Sequence, residues 1–334
     1  MFTEYKHIVK NLLLLIATLV LSINSIFSQI KSVDSNYVKE FPLPNNVQFF
    51  SGKWDHKFLI QSSTQRRRTN HLFFPNTGLY TGIFFNYKWF VLTYSREIPL
   101  LTYYPINKQL KSDHWNLFRF WDRFGLAFDK TKIEGLLYRD QRNYQKPIIL
   151  KNITFNSYTA DFYYFLNKKY SYRAAVYSSR QQVKSAGSLI LDMTPSYNSM
   201  RSESVVDETS SIKNLRSNIM FNDPKWFGLK SSVGYGYNFS LKKGKFIINP
   251  LVFYSFSLIN SKQNSRFTYN NGFRYSFNVG YHGNKYFALL NADWDRYDSK
   301  IRQSSFNQLK SDISMSLGMR FGNYKKPVIK YLNL

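Results

Sequence analysis

The histidines are the first candidates for chemistry in this chain, because an imidazole can act as a general base or a metal ligand near neutral pH. Beyond residue 30 they are His56, His71, His114 and His282, and no two of them have the spacing of a metal-binding pair. The chain has no cysteine, which excludes thiolate metal sites, thiol nucleophiles and a lipid-modified N-terminal cysteine. We therefore expect neither a metal nor another cofactor.

A lipid hydrolase or acyltransferase would need a serine, a histidine and an acid within hydrogen-bond reach of one another. His71 and His114 fall in predicted loops, where a histidine beside the outer leaflet is the best candidate base, and His282 falls beside a tight turn at the surface. None of them is accompanied by a G-x-S-x-G sequence. The sequence favours a protein without enzymatic activity, and a lipid-modifying enzyme of the lipase or deacylase kind is the alternative.

Charged residues that alternate with apolar ones form a second group of candidates. The segment from Phe118 to Phe128 is predicted as one strand whose phenylalanines face lipid, which turns Arg119 and Arg123 inward. If such strands close into a barrel, the same reasoning predicts that eight charged residues face its lumen: Arg119, Arg123, Asp161, Arg173, Arg274, Asp293, Asp295 and Arg320. They indicate a cationic pore or an anion-binding site, or else a structural Arg/Asp network that fills a narrow lumen and fixes strand register, which we favour.

Arg173 is expected to have a carboxylate partner, because an unpaired charge inside a protein is costly. Asp161 lies on the inward face of the preceding predicted strand. A hairpin around Asn167–Lys169 would place the two residues about equally far from the turn, as cross-strand neighbours. The sequence therefore predicts a charge-assisted hydrogen bond between them.

The chain carries 46 Lys and Arg against 20 Asp and Glu, a formal net charge of +26. Arg66, Arg67 and Arg68 lie together in the first predicted loop, where they would contact lipopolysaccharide phosphates at the outer surface or form a solvated strand end. Nucleic acid is the conventional partner of so basic a chain, but an exported protein does not meet it. Outer-membrane lipid and the barrel insertion machinery are the expected partners.

The first 28 residues have the order of a secretory signal peptide. Lys6 and Lys10 precede the apolar run Leu12–Leu21, and a polar segment with small residues follows it up to Ser28. The run is shorter than the roughly 20 residues that a transmembrane helix needs. We expect cleavage after Ser28 and, with no cysteine present, export into the envelope of a Gram-negative bacterium, with the outer membrane as the location.

From about residue 55 to residue 321, apolar residues recur at every second position in long segments. Val233, Tyr235 and Phe239 alternate with small or polar residues, and apolar Leu290 is followed by polar Asn291. Such segments exceed the five or six residues of a typical soluble strand and match strands that cross an outer membrane. The sequence predicts an all-β fold, an antiparallel transmembrane β-barrel of about 12 strands (10 to 14) in a closed up-and-down meander.

The predicted organisation is a signal peptide over residues 1–28, a loose periplasmic lead-in over 29–50, the barrel over 51–321 and a C-terminal tail over 322–334. The favoured function is a narrow channel or a structural or assembly component of the envelope. Because a soluble sheet with one buried face also alternates, a periplasmic β-sandwich binding protein is a further alternative.

The block from Tyr170 to Ser188, which reads SYRAA and then RQ and KSAGS, resembles a Bacteroidota family of outer-membrane β-barrel proteins catalogued as a domain of unknown function. Tyr87-Lys88-Trp89, the strand with Gly234-Tyr235-Gly236-Tyr237, and the segment Tyr281 to Tyr286 support the resemblance. It covers most of residues 50–321 and implies the barrel fold and its location. It implies no ligand, reaction or catalytic residue.

Overall fold

The computed structural model describes residues 33–64, 67–76, 78–87, 90–98, 101–102, 110–140, 147–202, 225–261, 264–301 and 304–323. The predicted signal peptide, Arg66 and the tail from residue 324 lie outside these residues. Within the described ranges, no helix is both long and apolar enough to cross a bilayer.

Fifteen strands and one α-helix make up the described part of the chain. The helix is α1 (Tyr172–Tyr177), and a 3-10 turn covers Lys242–Gly244. The strands are β1 (Val38–Lys39), β2 (Asn45–Thr64), β3 (Arg67–Phe74), β4 (Leu79–Tyr87), β5 (Phe90–Glu97), β6 (Lys111–Phe120), β7 (Phe124–Asp140), β8 (Ile148–Phe165), β9 (Gln181–Gln182), β10 (Ala186–Ser202), β11 (Lys225–Leu241), β12 (Phe246–Ser261), β13 (Asn264–His282), β14 (Tyr286–Ile301) and β15 (Ser304–Phe321).

Twelve of the described strands, β2, β4 to β8 and β10 to β15, form a closed antiparallel ring. The ring closes because β2 pairs with β15 from Asn45 opposite Phe321 to Ser62 opposite Ser304. Each strand otherwise pairs with its neighbours along the chain, which confirms the predicted up-and-down meander of about 12 strands. A closed ring has no unpaired edge, and this is the condition for a sheet to enter lipid. The β-sandwich alternative is therefore wrong.

The barrel differs between its two ends because of β3. Strands β4 and β3 pair with successive lengths of β2, residues 46–53 and 58–64. Beyond β4, the β5–β6 hairpin leads round the ring to β7, whereas β3 pairs with β7 directly through residues 71–74. At the far end of the barrel, β3 therefore takes the place that β4, β5 and β6 occupy at the other end. The ring has twelve strands at the end with Asn45 and Phe321, here called the plug end, and ten strands at the far end.

The two faces of the wall have the predicted character. Large apolar side chains line the outside, and Leu290 is 46% exposed. The inward positions carry small and polar residues, such as Ser232 and fully buried Asn238. A continuous exposed apolar surface of this kind is stable only in apolar surroundings. In a β-barrel of the outer-membrane type, the lipid bilayer provides these surroundings.

The prediction of a single strand from Phe118 to Phe128 was wrong. A turn at residues 121–123 separates β6 from β7 and resets the alternation. Phe118 and Phe120 consequently face the lumen, while Phe128 faces outward. Arg119 lies on the exposed outer face, its guanidinium 4.8 Å from the ring centre of Trp121.

The start of the barrel also differs from the prediction. Strand β2 begins at Asn45, inside the segment predicted as a loose lead-in. Residues 33–44 are packed against the plug end, where Val38 and Phe41 are buried. The last strand of the ring, β15, ends at Phe321.

The core lies inside the barrel as two apolar layers with a polar layer between them. At the far end the layer contains Phe58, Phe73, Ile133, Leu136, Tyr138, Leu150, Ile153, Phe155 and Met200. At the plug end it contains Phe84, Phe118, Phe120, Ala127, Phe165, Tyr170, Ile190, Leu251 and Phe253. The polar layer between them holds the charged residues of the candidate site.

Candidate functional site

The connection from β8 to β10, residues 166–185, enters the lumen at the plug end and is here called the plug. Its helix α1 begins after Ser171, whose side chain accepts a hydrogen bond from the Ala174 backbone N–H (3.2 Å), and ends at Ser178 in a left-handed conformation (φ 51°). Serine before an alanine-containing stretch is the sequence signal for such a helix start. The prediction of a simple hairpin at Asn167–Lys169 was wrong. The capping serine begins a helix at the place where the alternation of apolar and polar residues had predicted a strand.

Arg320 anchors the plug to the last strand. It is 2% exposed, and it donates to the backbone oxygen of Ser178 (2.7 Å), to the Ser178 hydroxyl and to the backbone oxygen of Gly283. Its guanidinium carbon lies 3.5 Å from the ring centre of Phe41 and 4.3 Å from that of Phe287. One inward arginine thus joins the wall, the plug and the lead-in segment.

A ladder of amides on neighbouring strands forms a second anchor. Asn238 donates to the backbone oxygen of Ser171 (2.9 Å) and to the side chain of Gln182 (3.0 Å). Asn249 donates to Asn238 (2.8 Å), and Asn278 donates to Asn249 (3.1 Å). We did not identify these residues from the sequence; the signal was an asparagine at the inward position of three successive strands.

Aromatic packing fills the remaining space around α1. Tyr177 stacks on Phe118 with ring centres 4.4 Å apart, and Tyr172 lies 5.0 Å from Phe120 and 5.3 Å from Phe165. Phe118 and Phe120 are the two phenylalanines whose inward direction differs from the prediction because of the turn at 121–123, and Phe165 ends β8. The plug is therefore held by apolar contacts as well as by hydrogen bonds.

Arg173 belongs to α1 and not to a strand, so the predicted pair with Asp161 was wrong. Its Nε donates to Ser179 (3.2 Å), whereas Asp161 accepts from Thr194 (2.5 Å). Burial, together with the nearby Arg180 guanidinium, lowers the pKa of Arg173 to about 10. This arginine is a part of the plug and not of a wall network.

Arg123 lies in the turn at the plug end and not in the lumen, which corrects another prediction. It donates to the Tyr164 hydroxyl (2.5 Å) and to the backbone oxygens of Phe165 and Leu166. In the same region Arg180 forms ion pairs with Glu40 and Asp122. These contacts tie the lead-in, the turn and the plug together from outside the barrel.

Two cavities lie in the polar layer, with volumes of about 440 and 320 Å³. They share Trp54, His114, Asp295 and Lys310 as lining residues. Tyr172 and Tyr177 of α1 also line the larger cavity, so that the plug forms part of its wall. We call the two cavities together the lumen chamber.

The structure places Asp161, Arg274, Asp293 and Asp295 on the inner wall. Arg274 lies 3.3 Å from Asp192, a buried carboxylate that Lys230 also approaches at 3.9 Å. Five further polar residues occupy inward positions of the same alternation and were not predicted as part of the site: Asp192, Lys230, Lys310, Asp312 and Tyr80. Arg119, Arg123 and Arg173 lie away from this inner wall.

The histidines lie in different places from those predicted. His71 and His114 belong to β3 and β6 and not to loops, and His71 contacts the Tyr138 hydroxyl (2.9 Å). His282 is buried and contacts the Ser178 hydroxyl (3.0 Å), so the expectation of a surface residue was wrong. The wall strands direct these side chains inward.

His114 lies between a hydroxyl and a carboxylate. Its Nε2 is 3.3 Å from Asp129 Oδ1, and its Nδ1 is 3.1 Å from Thr131 Oγ1. Acyl transfer also needs N–H groups aimed at the developing oxyanion. Here β6 and β7 are each paired on both sides, so the backbone N–H groups are engaged in the sheet. The arrangement fits a cross-strand hydrogen-bond network.

Two further predictions concern metals and the basic loop. In the part of the chain that the structure describes, no group of three or more His, Asp or Glu side chains is arranged to hold a metal ion. Strand β3 begins at Arg67, so the backbone of Arg67 and Arg68 forms a strand end and not a loop.

No curated protein matches the chain. Among solved structures, the outer membrane protease OmpT from Escherichia coli is 9% identical over 88% of this chain and 99% of its own, with a TM-score of 0.38. The β domain of the Bordetella autotransporter BrkA is 9% identical over 81% and 99%, with a TM-score of 0.43. An outer membrane channel from Pseudomonas putida F1 is 8% identical over 87% and 100%, with a TM-score of 0.32.

A family model matches residues 32–321, which is the lead-in, the plug and the whole barrel. The match includes the block from Tyr170 to Ser188 that carried the resemblance in the sequence, and this block forms the plug. The chain belongs to the family described as a domain of unknown function, DUF4421.

Proposed function

We propose that this protein is a non-enzymatic outer-membrane barrel that acts as a narrow channel, held shut at rest by its internal plug. The observation that carries the proposal is the double anchoring of the plug, by Arg320 on β15 and by the asparagine ladder on β11 to β13. A polar chamber beyond the plug gives the barrel a compartment that a solute can occupy.

The location and partners belong to the same proposal. The signal peptide over residues 1–28 directs export, and the barrel insertion machinery places the chain in the outer membrane of a Gram-negative bacterium. The plug end, which holds Asn45 and Phe321, faces the periplasm. The backbone of Arg67 and Arg68 then lies at the far end, and lipopolysaccharide phosphates are the proposed contacts of the basic run Arg66, Arg67 and Arg68.

Conductance in planar bilayers tests the closed state. Replacing residues 168–184 by a short Gly/Ser linker removes the plug, and the ends can be joined because Asn167 Nδ2 donates to the backbone oxygen of Gly187 (2.7 Å). We expect rare openings of the wild-type chain and steady conductance of the linker variant. Steady conductance of the wild type, or none from a folded linker variant, would contradict the proposal.

The absence of enzymatic activity needs its own measurement. Because His71 and His114 face the lumen, we expect the lipid A mass profile of a deletion strain to equal that of the parent. A change in acyl chains that the wild-type gene restores and a His114→Gln variant does not would support the lipid-modifying alternative instead.

A further inference from the structure

The larger cavity of the lumen chamber has more acid than base, although the whole chain carries a charge of +26. Four carboxylates line it, those of Glu97, Asp293, Asp295 and Asp312, against Arg96 and Lys310. The smaller cavity is balanced and shows no such excess, with Asp129, Asp161 and Asp295 against Lys230, Arg274 and Lys310. This excess is opposite to the cationic pore or anion-binding site considered from the sequence. A buried excess of negative charge is costly unless a positive partner compensates it.

Asp293 and Asp312 are direct cross-strand partners on β14 and β15. Like charges in this position repel each other. The Tyr80 hydroxyl lies 2.8 and 2.6 Å from the two carboxylate oxygens of Asp312 and shares its one proton between them, which stabilises this carboxylate without adding a positive charge. The two acids thus form a focus of negative potential in the larger cavity.

Unpartnered polar atoms provide an independent observation. In the described residues that line the chamber, Glu97 Oε1, Asn270 Oδ1, Asn291 Oδ1 and Asp295 Oδ1 are buried without a hydrogen-bond partner, as is His56 Nδ1. Asn270 is only 7% exposed. Four of these five atoms are acceptor oxygens that no hydrogen-bond donor of the described residues reaches. A ligand that supplies N–H groups would satisfy them.

The lining indicates what kind of cation fits. The described residues offer no cluster for a bare metal ion, whereas Trp54, Tyr172 and Tyr177 present aromatic side chains beside the carboxylates. Aromatic faces attract ammonium groups. Volumes of about 440 and 320 Å³ are in the range of small-molecule sites. Asp295 lines this larger cavity too, so a ligand held there also reaches the unpartnered oxygen of that carboxylate.

We propose that the lumen chamber binds a small organic cation with two or more ammonium groups, of the polyamine type. The carboxylates of Asp293 and Asp312 form the main contact, and the unpartnered oxygens accept further N–H donors. The inference rests on the proposed function in one respect, because it names the solute class for the compartment that the plug closes.

Isothermal titration of the full chain in detergent with spermidine tests the inference. We expect saturable binding, and at least a tenfold loss of affinity in the double variant Asp293→Asn/Asp312→Asn, which keeps side-chain shape and removes the repulsion. The matched control is Asp298→Asn, on the same strand but facing outward beside Arg296, and it should bind as the wild type does. Glucose, inorganic phosphate and magnesium chloride should not bind at the chamber.

A thermal-unfolding measurement keeps the test decisive if one variant is unstable. Spermidine should raise the unfolding temperature of the wild type and of Asp298→Asn, but not that of the single variants Asp293→Asn and Asp312→Asn. Equal affinity in the wild type and the double variant, or no binding to the folded wild type, would overturn the inference. Neither measurement depends on conductance. A chain that binds spermidine but never conducts would therefore contradict the proposed channel function and leave the cation site intact.

Discussion

Arg320 and Arg173 are both associated with the plug, but their surroundings give them different energetic roles. Arg320 donates to two backbone oxygens and one hydroxyl and lies against two aromatic rings. For Arg173 the structure gives a single described hydrogen bond, to Ser179, and burial lowers its pKa. A buried charge stabilises a fold only where its hydrogen bonds compensate for lost hydration.

Substituting methionine for each arginine separates the two roles. Arg320→Met should lower the free energy of unfolding by about 2–4 kcal/mol, since it removes the guanidinium donor from the backbone oxygens of Ser178 and Gly283. Arg173→Met should change the free energy of unfolding by less than about 1 kcal/mol. The substitution removes the hydrogen bond to Ser179, but it also removes the cost of burying the charge. Thermal unfolding in detergent measures both, and equal effects would contradict the anchoring role of Arg320.

The faces of β14 give a second prediction at this scale. Leu290→Arg places a charge on the lipid face and should cost about 2–4 kcal/mol if the position is near mid-membrane. Asn291→Arg places it in the acidic chamber and should be tolerated. The yield of folded barrel in the membrane fraction, measured by the mobility of unheated protein on gels, compares the two. Equal yields would show that the register of β14 is wrong.

Among the elements, the turn between β11 and β12 contacts the plug at close range. Gly244 has a φ of +85°, and a Cβ built there would lie 2.5 Å from the backbone oxygen of Gln182. Glycine is therefore required both for the left-handed conformation and for the close approach to β9.

Gly244→Ala should lower the free energy of unfolding by about 1–2 kcal/mol from the backbone strain alone. It should also raise the frequency of channel openings, since the turn is displaced from the plug. The control is Gly322→Ala, where an added Cβ meets only Leu43 at 3.8 Å. If both variants unfold alike and stay equally closed, the turn does not support the plug.

At the scale of the whole molecule, closure of the ring depends on the pairing of β15 with β2 over its full length. A chain truncated after Gly322 keeps every described wall strand and should form a barrel that migrates faster unheated than boiled. A chain truncated after Ile301 lacks β15 and exposes two strand edges, so it should not insert. Failure of the first truncation would assign the tail an essential part in assembly.

The alternation along each strand was sufficient to predict an all-β barrel, because whether a side chain faces lipid or lumen depends only on its position parity within that strand. Leu290 and Asn291, and the face of Val233 and Tyr235, follow this local rule. The rule failed from Phe118 to Phe128, where three turn residues reset the parity without an obvious Gly or Pro signal.

The plug depended on contacts between residues far apart in the chain. Arg320 meets Ser178, 142 positions earlier, and Asn238 meets Ser171, 67 positions earlier. The sequence marks Arg173 as charged and Ser171 as a capping residue, but it does not say which connection enters the lumen. Which connection enters the lumen depends on whether the folded wall offers hydrogen-bond donors, acceptors and aromatic rings at matching positions. Strands from both halves of the barrel supply these groups, and they come together only after the ring has closed.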